Sequence, residues 1–194
     1  MYINWALNEI NLKVVYYGPG LSGKTTNLIY IHKKLDPSLR GELITLSTKE
    51  DRTLFFDFMQ LELGKINGKV PKFNLYTVPG QVYYANSRKI ILNGADGIVF
   101  VADSQKERID ENLDTLLDLE NNLIKIGTSL EKFPWVLQYN KRDLPNAASL
   151  DVLDKKLNFL GVPSFESVAH KGVGVFPTLK EIIKNIIAHI RVPA

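Results

Sequence analysis

The sequence predicts a three-layer α/β domain, with a mainly parallel central sheet, helices on both faces and an antiparallel hairpin at one edge. Strand-like and helix-like segments alternate along the chain, the pattern of a parallel sheet with helical crossovers. A glycine-rich turn, Gly18-Pro19-Gly20-Leu21-Ser22-Gly23-Lys24-Thr25, joins the first strong strand signal to the first helical one. Asn67-Gly68 separates two strand-like segments. It signals a tight hairpin, because both central positions of a type I′ turn need positive φ.

Residues 10–17 alternate apolar and polar side chains and carry the β-branched pair Val14 and Val15, which marks a buried strand. Leu28, Ile31 and Leu35 then recur at helical spacing, and Asp36-Pro37-Ser38 ends that helix because proline cannot continue the hydrogen-bond ladder. Residues 38–53 are polar and irregular around one short apolar piece at 43–46, a candidate mobile loop beside the glycine-rich turn. Residues 54–66 and 70–77 are the two arms of the hairpin. Thr77-Val78-Pro79-Gly80-Gln81 is a turn, and residues 83–92 form a short helix closed by Asn93-Gly94. The unbroken apolar run 97–102 is a central strand. Ile109, Leu113, Leu116, Leu117, Leu123 and Ile124 mark one face of a long helix that Gly127 stops. Residues 135–139 are the next strand, Ser149 caps a helix running to 160, and residues 165–169 are a short last strand. Phe176, Leu179, Ile182, Ile183, Ile186, Ile187 and Ile190 form the buried stripe of the final helix. Ligands in such sheets bind beyond the carboxyl ends of the strands, so the motifs that follow each strand converge on one edge.

Composition narrows the function classes. The 194 residues fit one domain spanning 1–194, and 45% apolar with 23% charged residues is globular composition. The net charge of +3 is small and the basic residues are scattered among acids, which argues against nucleic acid as a partner. With no cysteine, disulfides, zinc-thiolate sites and thiol catalysis are excluded. No apolar run reaches membrane-spanning length, and no signal-peptide core is present. Tyr2 in place of a myristoylation glycine and the absence of a prenylation cysteine predict no direct membrane anchor.

The glycine-rich turn fits G-x-x-x-x-G-K-[ST]. Strand, loop and helix in that order turn backbone N–H groups toward a phosphate chain, and the helix N-terminus adds partial positive charge. Gly18, Gly20, Leu21, Ser22, Gly23, Lys24, Thr25 and Thr26 are the expected nucleotide contacts. Lys24 would reach the β- and γ-phosphates and Thr25 would give its hydroxyl to Mg²⁺. Asn140-Lys141-Arg142-Asp143 then selects the base. A carboxylate at Asp143 accepts two hydrogen bonds from the N1–H and N2–H₂ edge of guanine, which adenine cannot supply, and an unpaired buried carboxylate is costly. The Asn140 amide can meet the base from its other edge, and the Lys141 stem can cover the ring.

These motifs together resemble the small Ras-like GTPases, a P-loop NTPase family, over nearly the whole chain. The family's base-lining segment appears weakly as Val168-Ala169-His170, where only Ala169 matches. Its N–H could bond the guanine oxygen, while His170 is read as a solvated loop residue. The family's D-x-x-G-Q appears as Thr77-Val78-Pro79-Gly80-Gln81, with Gly80 offering its N–H to the γ-phosphate and Gln81 orienting the attacking water. Thr77 departs from the usual aspartate; it is neutral and shorter, and holds Mg²⁺ less firmly.

The stretches at 18–27, 51–58, 75–81 and 140–145 are similar to the MglA family of bacterial cell-polarity GTPases. That resemblance implies a cytoplasmic GTPase that hydrolyses GTP to GDP and controls polarity for gliding or type IV pilus motility, recruited to cell poles through partners. It implies an MglB-type roadblock-fold homodimer as activating partner, downstream polarity or motility effectors, and a chain that is monomeric alone. It makes Arg52 an internal arginine finger, beside Gln81 and Lys24 in catalysis. It makes Thr53 the switch threonine that senses Mg²⁺ and the γ-phosphate. Without the resemblance, the sequence alone favours reading Arg52 as a surface arginine paired with Glu50 or Asp51. Phe55, Phe56 and Phe58 read as strand packing or as a partner platform, and Tyr83 and Tyr84 carry the same ambiguity. Two rivals follow from the residues: a nucleotide-gated scaffold that hardly hydrolyses GTP, which Thr77 supports, and a P-loop ATPase or kinase, which Asp143 opposes.

Overall fold

A computed structural model describes residues 1–47, 55–65, 68–80 and 85–190 of the chain. In order these form β1 (Tyr2–Asn4), β2 (Glu9–Tyr17), α1 (Lys24–Lys34), β3 (Ile44–Ser47), β4 (Phe55–Glu62), β5 (Val70–Thr77) and α2 (Ala85–Leu92). Then follow β6 (Gly97–Asp103), α3 (Ile109–Lys125), β7 (Trp135–Asn140), α4 (Leu150–Leu157), β8 (Ser164–Glu166) and α5 (Val175–His189). The sheet order is β3-β4-β5-β2-β6-β7-β8, with β1 added to β2. From β5 to β8 every pairing is parallel, while β4 runs antiparallel to both β3 and β5. This is the mainly parallel sheet of a Ras-like P-loop fold, with its antiparallel edge.

The period-2 geometry of β2 builds two cores at once. Val14 and Tyr16 face α1 and α5, where Leu28, Ile31, Leu179, Ile182 and Ile186 are buried. Val15 and Tyr17 face the other layer, with Leu92, Leu116, Leu119, Leu123, Leu153 and Leu157. Central β6 is buried at all seven positions, which explains why it reads as an unbroken apolar run.

The structure corrects several boundaries. Two short strands, β1 and β3, were not expected; residues 44–47 leave the irregular stretch to pair with β4, so β3 and not the hairpin is the sheet edge. On α3 the buried face is Leu116, Leu119 and Leu123 with Asn112 and Asn122, while Leu117 and Ile124 are exposed. The last strand stops at Glu166, and Ala169 sits instead in a 3-10 turn. Helix α4 ends at Leu157, and the Ser149 side chain makes no capping bond. Gly68 has the positive φ the hairpin turn requires, at 78°; Asn67 lies outside the described residues. Tyr83 and Tyr84 lie outside them too. Phe56 and Phe58 pack their rings on Tyr76, with centroids 5.7 and 4.9 Å away. Among the described residues no helix is long and apolar enough to cross a membrane.

Candidate functional site

The loop after β2, the turn after β5 and the ends of β6, β7 and β8 all emerge at one edge of the sheet. The glycine-rich loop starts at Gly18 and delivers the chain to α1, whose first residue is Lys24. Leu21 has φ 62°, a left-handed conformation that costs a non-glycine residue about 1–2 kcal/mol. Gly23, at φ 104°, must be glycine for a second reason: a Cβ there would lie 2.1 Å from the Asn140 side chain. The loop opens on a pocket of about 640 Å³ lined by Gly20, Leu21, Lys24, Thr25, Thr26 and Thr77, among others. That size suits a small-molecule ligand.

Lys24 is only 6% exposed. Its ammonium donates to Gly18 O at 2.9 Å and Pro19 O at 2.6 Å. Burial, reinforced by the Arg88 guanidinium, pushes it down to about 7, against the pull of Glu111 and Asp57. A bound phosphate chain stabilises the charged form, so the complex holds more protons than the free protein above that value. Affinity is therefore fullest below about pH 7 and declines as pH rises. Titrations with GDP are expected to show the Kd rising by up to about tenfold per pH unit above 7, a flat profile being the contrary result.

Asn140 ties three loops together. Its Nδ2 donates to Ser22 O at 2.7 Å, and its Oδ1 accepts the Ala169 N–H at 2.9 Å. Both ends of this amide are thereby engaged, and the Ala169 N–H that the sequence directed at a guanine oxygen is donated to Asn140 instead. Val168 is buried beside it, and His170 is exposed, as its reading as a solvated residue requires. Lys141, held at φ 64°, donates to the fully buried carboxylate of Asp103 at 2.6 Å. The Asp143 carboxylate is partly exposed and lies 3.3 Å from Lys171 Nζ and 3.7 Å from His170 Nε2.

One group that sequence reasoning missed sits at the Mg²⁺ side. Asp57 on β4 is 2% exposed, although it carries a charge. Its carboxylate accepts from the Thr25 hydroxyl at 2.6 Å, the Thr77 hydroxyl at 2.9 Å and the Thr45 hydroxyl at 2.9 Å. The Thr77 hydroxyl in turn accepts the Asp57 N–H at 2.9 Å. A carboxylate and a hydroxyl are the hard oxygen donors that suit Mg²⁺, which is usually held by one or two carboxylates plus substrate phosphates. Thr25 and Asp57 thus fit the ion, and the charge missing at 77 is present one strand away. The signal was available: Asp57 shares the strand face of Met59 and Leu61, both fully buried.

Gly80 packs directly on the phosphate loop, where a Cβ would lie 2.3 Å from Gly20 N and 2.4 Å from Pro19 C. A side chain at this position would force the two loops apart. Arg52, Thr53 and Gln81 lie outside the described residues.

Comparison with known proteins agrees with this geometry. The sequence matches the ADP-ribosylation factor family over residues 3–186. It is 54% identical over 190 residues to the mutual gliding-motility protein MglA of Myxococcus xanthus, covering 98% of this chain and 97% of that one. It is 26% identical over 179 residues to the Ypt/Rab-type GTPase ypt7 of Schizosaccharomyces pombe, covering 89% of this chain and 80% of that one. With its phosphate loop and guanine-type loop bridged by one asparagine, the chain belongs to the ADP-ribosylation factor family of Ras-like, GTP-binding switch GTPases.

Proposed function

We propose that this protein, as a single switch domain, binds GTP with Mg²⁺, hydrolyses it to GDP and phosphate, and controls cell polarity for gliding or type IV pilus motility. The observation that carries the nucleotide reading is the Asn140 bridge. It fixes the phosphate loop and the Ala169 loop in one frame, so Lys24 and Asp143 read the two ends of the same ligand. The likeness to the Myxococcus xanthus gliding-motility protein over nearly both full lengths supports the cellular role.

In this reading the N–H groups of residues 20–26 cradle the phosphates, and Lys24 swings from its loop carbonyls to the β- and γ-oxygens. Asp143 accepts from the guanine edge and Lys141 covers the ring, its ammonium kept in place by Asp103. Val168 and Ala169 wall the base pocket. Thr25 and Asp57 would hold Mg²⁺ together with Thr53, and the ion would supply neutralisation of phosphate charge. Gly80 directs its N–H at the γ-phosphate, Gln81 orients the attacking water, and Arg52 stabilises the charge that develops on the transferring phosphoryl group. Loss of the γ-phosphate releases the segments around Thr53 and Gly80, and the partner surface changes with them. The protein works in the cytoplasm and reaches the poles through partners.

The activating partner is a roadblock-fold homodimer of the MglB type. GTP turnover measured with and without it tests reaction and partnership together. Slow release of phosphate alone and strong acceleration by the partner is the expected result; no acceleration would refute the partnership. The role of Asp57 has its own test. Asp57→Asn is expected to raise the Mg²⁺ concentration needed for half-maximal GTP binding by at least about 10–100-fold, the scale seen when even a group that only supports a metal ligand is lost. Guanine preference should persist in that variant, and an unmoved Mg²⁺ titration would remove Asp57 from the site.

A further inference from the structure

Arg108 belongs to the 3-10 turn Lys106–Arg108 that leads into α3, 88 residues from the phosphate loop along the chain. Its Nη2 nevertheless donates to Gly20 O at 2.7 Å. Two further anchors hold the guanidinium. Its Nη1 pairs with the Glu111 carboxylate, and its Nε lies 3.9 Å from Asp103 Oδ2. Asp103 is fully buried and also takes the Lys141 ammonium at 2.6 Å, with the Gln105 N–H at 3.1 Å. One carboxylate at the end of β6 therefore lies beside the cation that reaches the phosphate loop and holds a cation of the guanine-type motif.

The consequence follows from peptide geometry. The Gly20–Leu21 peptide is trans, so the Gly20 carbonyl and the Leu21 N–H point in opposite directions from one rigid plane. Pinning the carbonyl to Arg108 fixes where that N–H points. Leu21 has a left-handed backbone and an 88% exposed side chain, so neither its own conformational preference nor packing holds the plane. An outside anchor is needed, and Arg108 supplies it.

We propose that Arg108 is a positioning residue for phosphate binding, acting through the Gly20 carbonyl to aim the Leu21 N–H, with Asp103 coupling this hold to Lys141. The inference rests on the nucleotide reading of the site. Leu21 contributes its backbone N–H only, and the guanidinium contacts the loop, leaving the phosphates to Lys24 and the loop amides.

Dissociation of a fluorescent GDP analogue from Arg108→Met and Arg108→Lys tests the proposal, alongside thermal melting with and without GDP. Arg108→Met is expected to release GDP about tenfold faster and to shrink the GDP-induced rise in Tm. Arg108→Lys, which keeps one donor for the carbonyl, is expected to recover much of both. Discrimination between GDP and ADP should be retained, since Asp143 is untouched. Unchanged dissociation in Arg108→Met would overturn the proposal. So would a fall in Tm of the same size with and without GDP, which marks a purely structural role. Should Arg108→Met fail to fold, Arg108→Lys decides alone: dissociation between the wild-type rate and tenfold above it supports the proposal, and a GDP-induced Tm rise equal to wild type with an unchanged rate overturns it. A wild-type protein that does not bind GDP would instead refute the nucleotide reading beneath it.

Discussion

Arg52→Ala is expected to cut partner-stimulated GTP turnover by about a thousandfold or more while leaving GTP affinity nearly unchanged. The two halves of this expectation have different origins. On the proposed function ground-state binding would come from the loop amides, Lys24 and the Asp143 carboxylate, none of which the substitution touches. Charge on the phosphoryl oxygens grows only as the bond to the leaving group lengthens, and a planar cation beside them acts on that growth. Removing it raises the barrier without weakening the complex. On the proposed function the deficit should be largest with the roadblock-type partner present, because that is the turnover Arg52 would serve. Phosphate release under single-turnover conditions measures it. Wild-type turnover in the variant would return Arg52 to an ordinary surface arginine paired with Glu50 or Asp51.

The parts of the site that were legible in sequence are those written in consecutive residues. Gly18 to Thr25 states a loop, a helix start and a lysine in eight positions, and the structure gives the positive φ angles at Gly18, Leu21 and Gly23 that the loop demands. The 140–143 motif announced itself by following a buried strand. What stayed hidden depends on neighbours across the sheet. Asp57 meets Thr25, Thr45 and Thr77 because β4 lies between β3 and β5 in a fixed register, and no spacing along the chain encodes that meeting. The departure at Thr77 looked like a missing charge only while its strand was considered alone. Arg108 escaped notice for the same reason, since a charged residue before a helix has no local mark of the loop it will touch.

Short strands were missed for an energetic reason. β1 and β3 have three and four residues, too few for a pattern, and exist through the ladder they complete against β2 and β4. The end of β8 was misplaced because Val168 and Ala169 look like strand continuation. The Ala169 N–H donates instead to the Asn140 side-chain Oδ1, off the sheet ladder. The helical face of α3 was half right: two buried asparagines, Asn112 and Asn122, interrupt the apolar period and carry hydrogen bonds to β6 and Tyr17.

Competition between GTP and ATP for the purified protein in Mg²⁺ tests the central claim most directly. A carboxylate placed to accept from the guanine N1–H and N2–H₂ discriminates against a base that lacks them by up to about 10⁴–10⁵ in affinity, because adenine would cover Asp143 and offer it no donor in place of Lys171 and water. The arrangement of Lys24, Asn140 and Asp143 predicts that GTP displaces a fluorescent guanine nucleotide stoichiometrically and that ATP fails to do so even in thousandfold excess. Equal displacement by the two nucleotides would contradict the account.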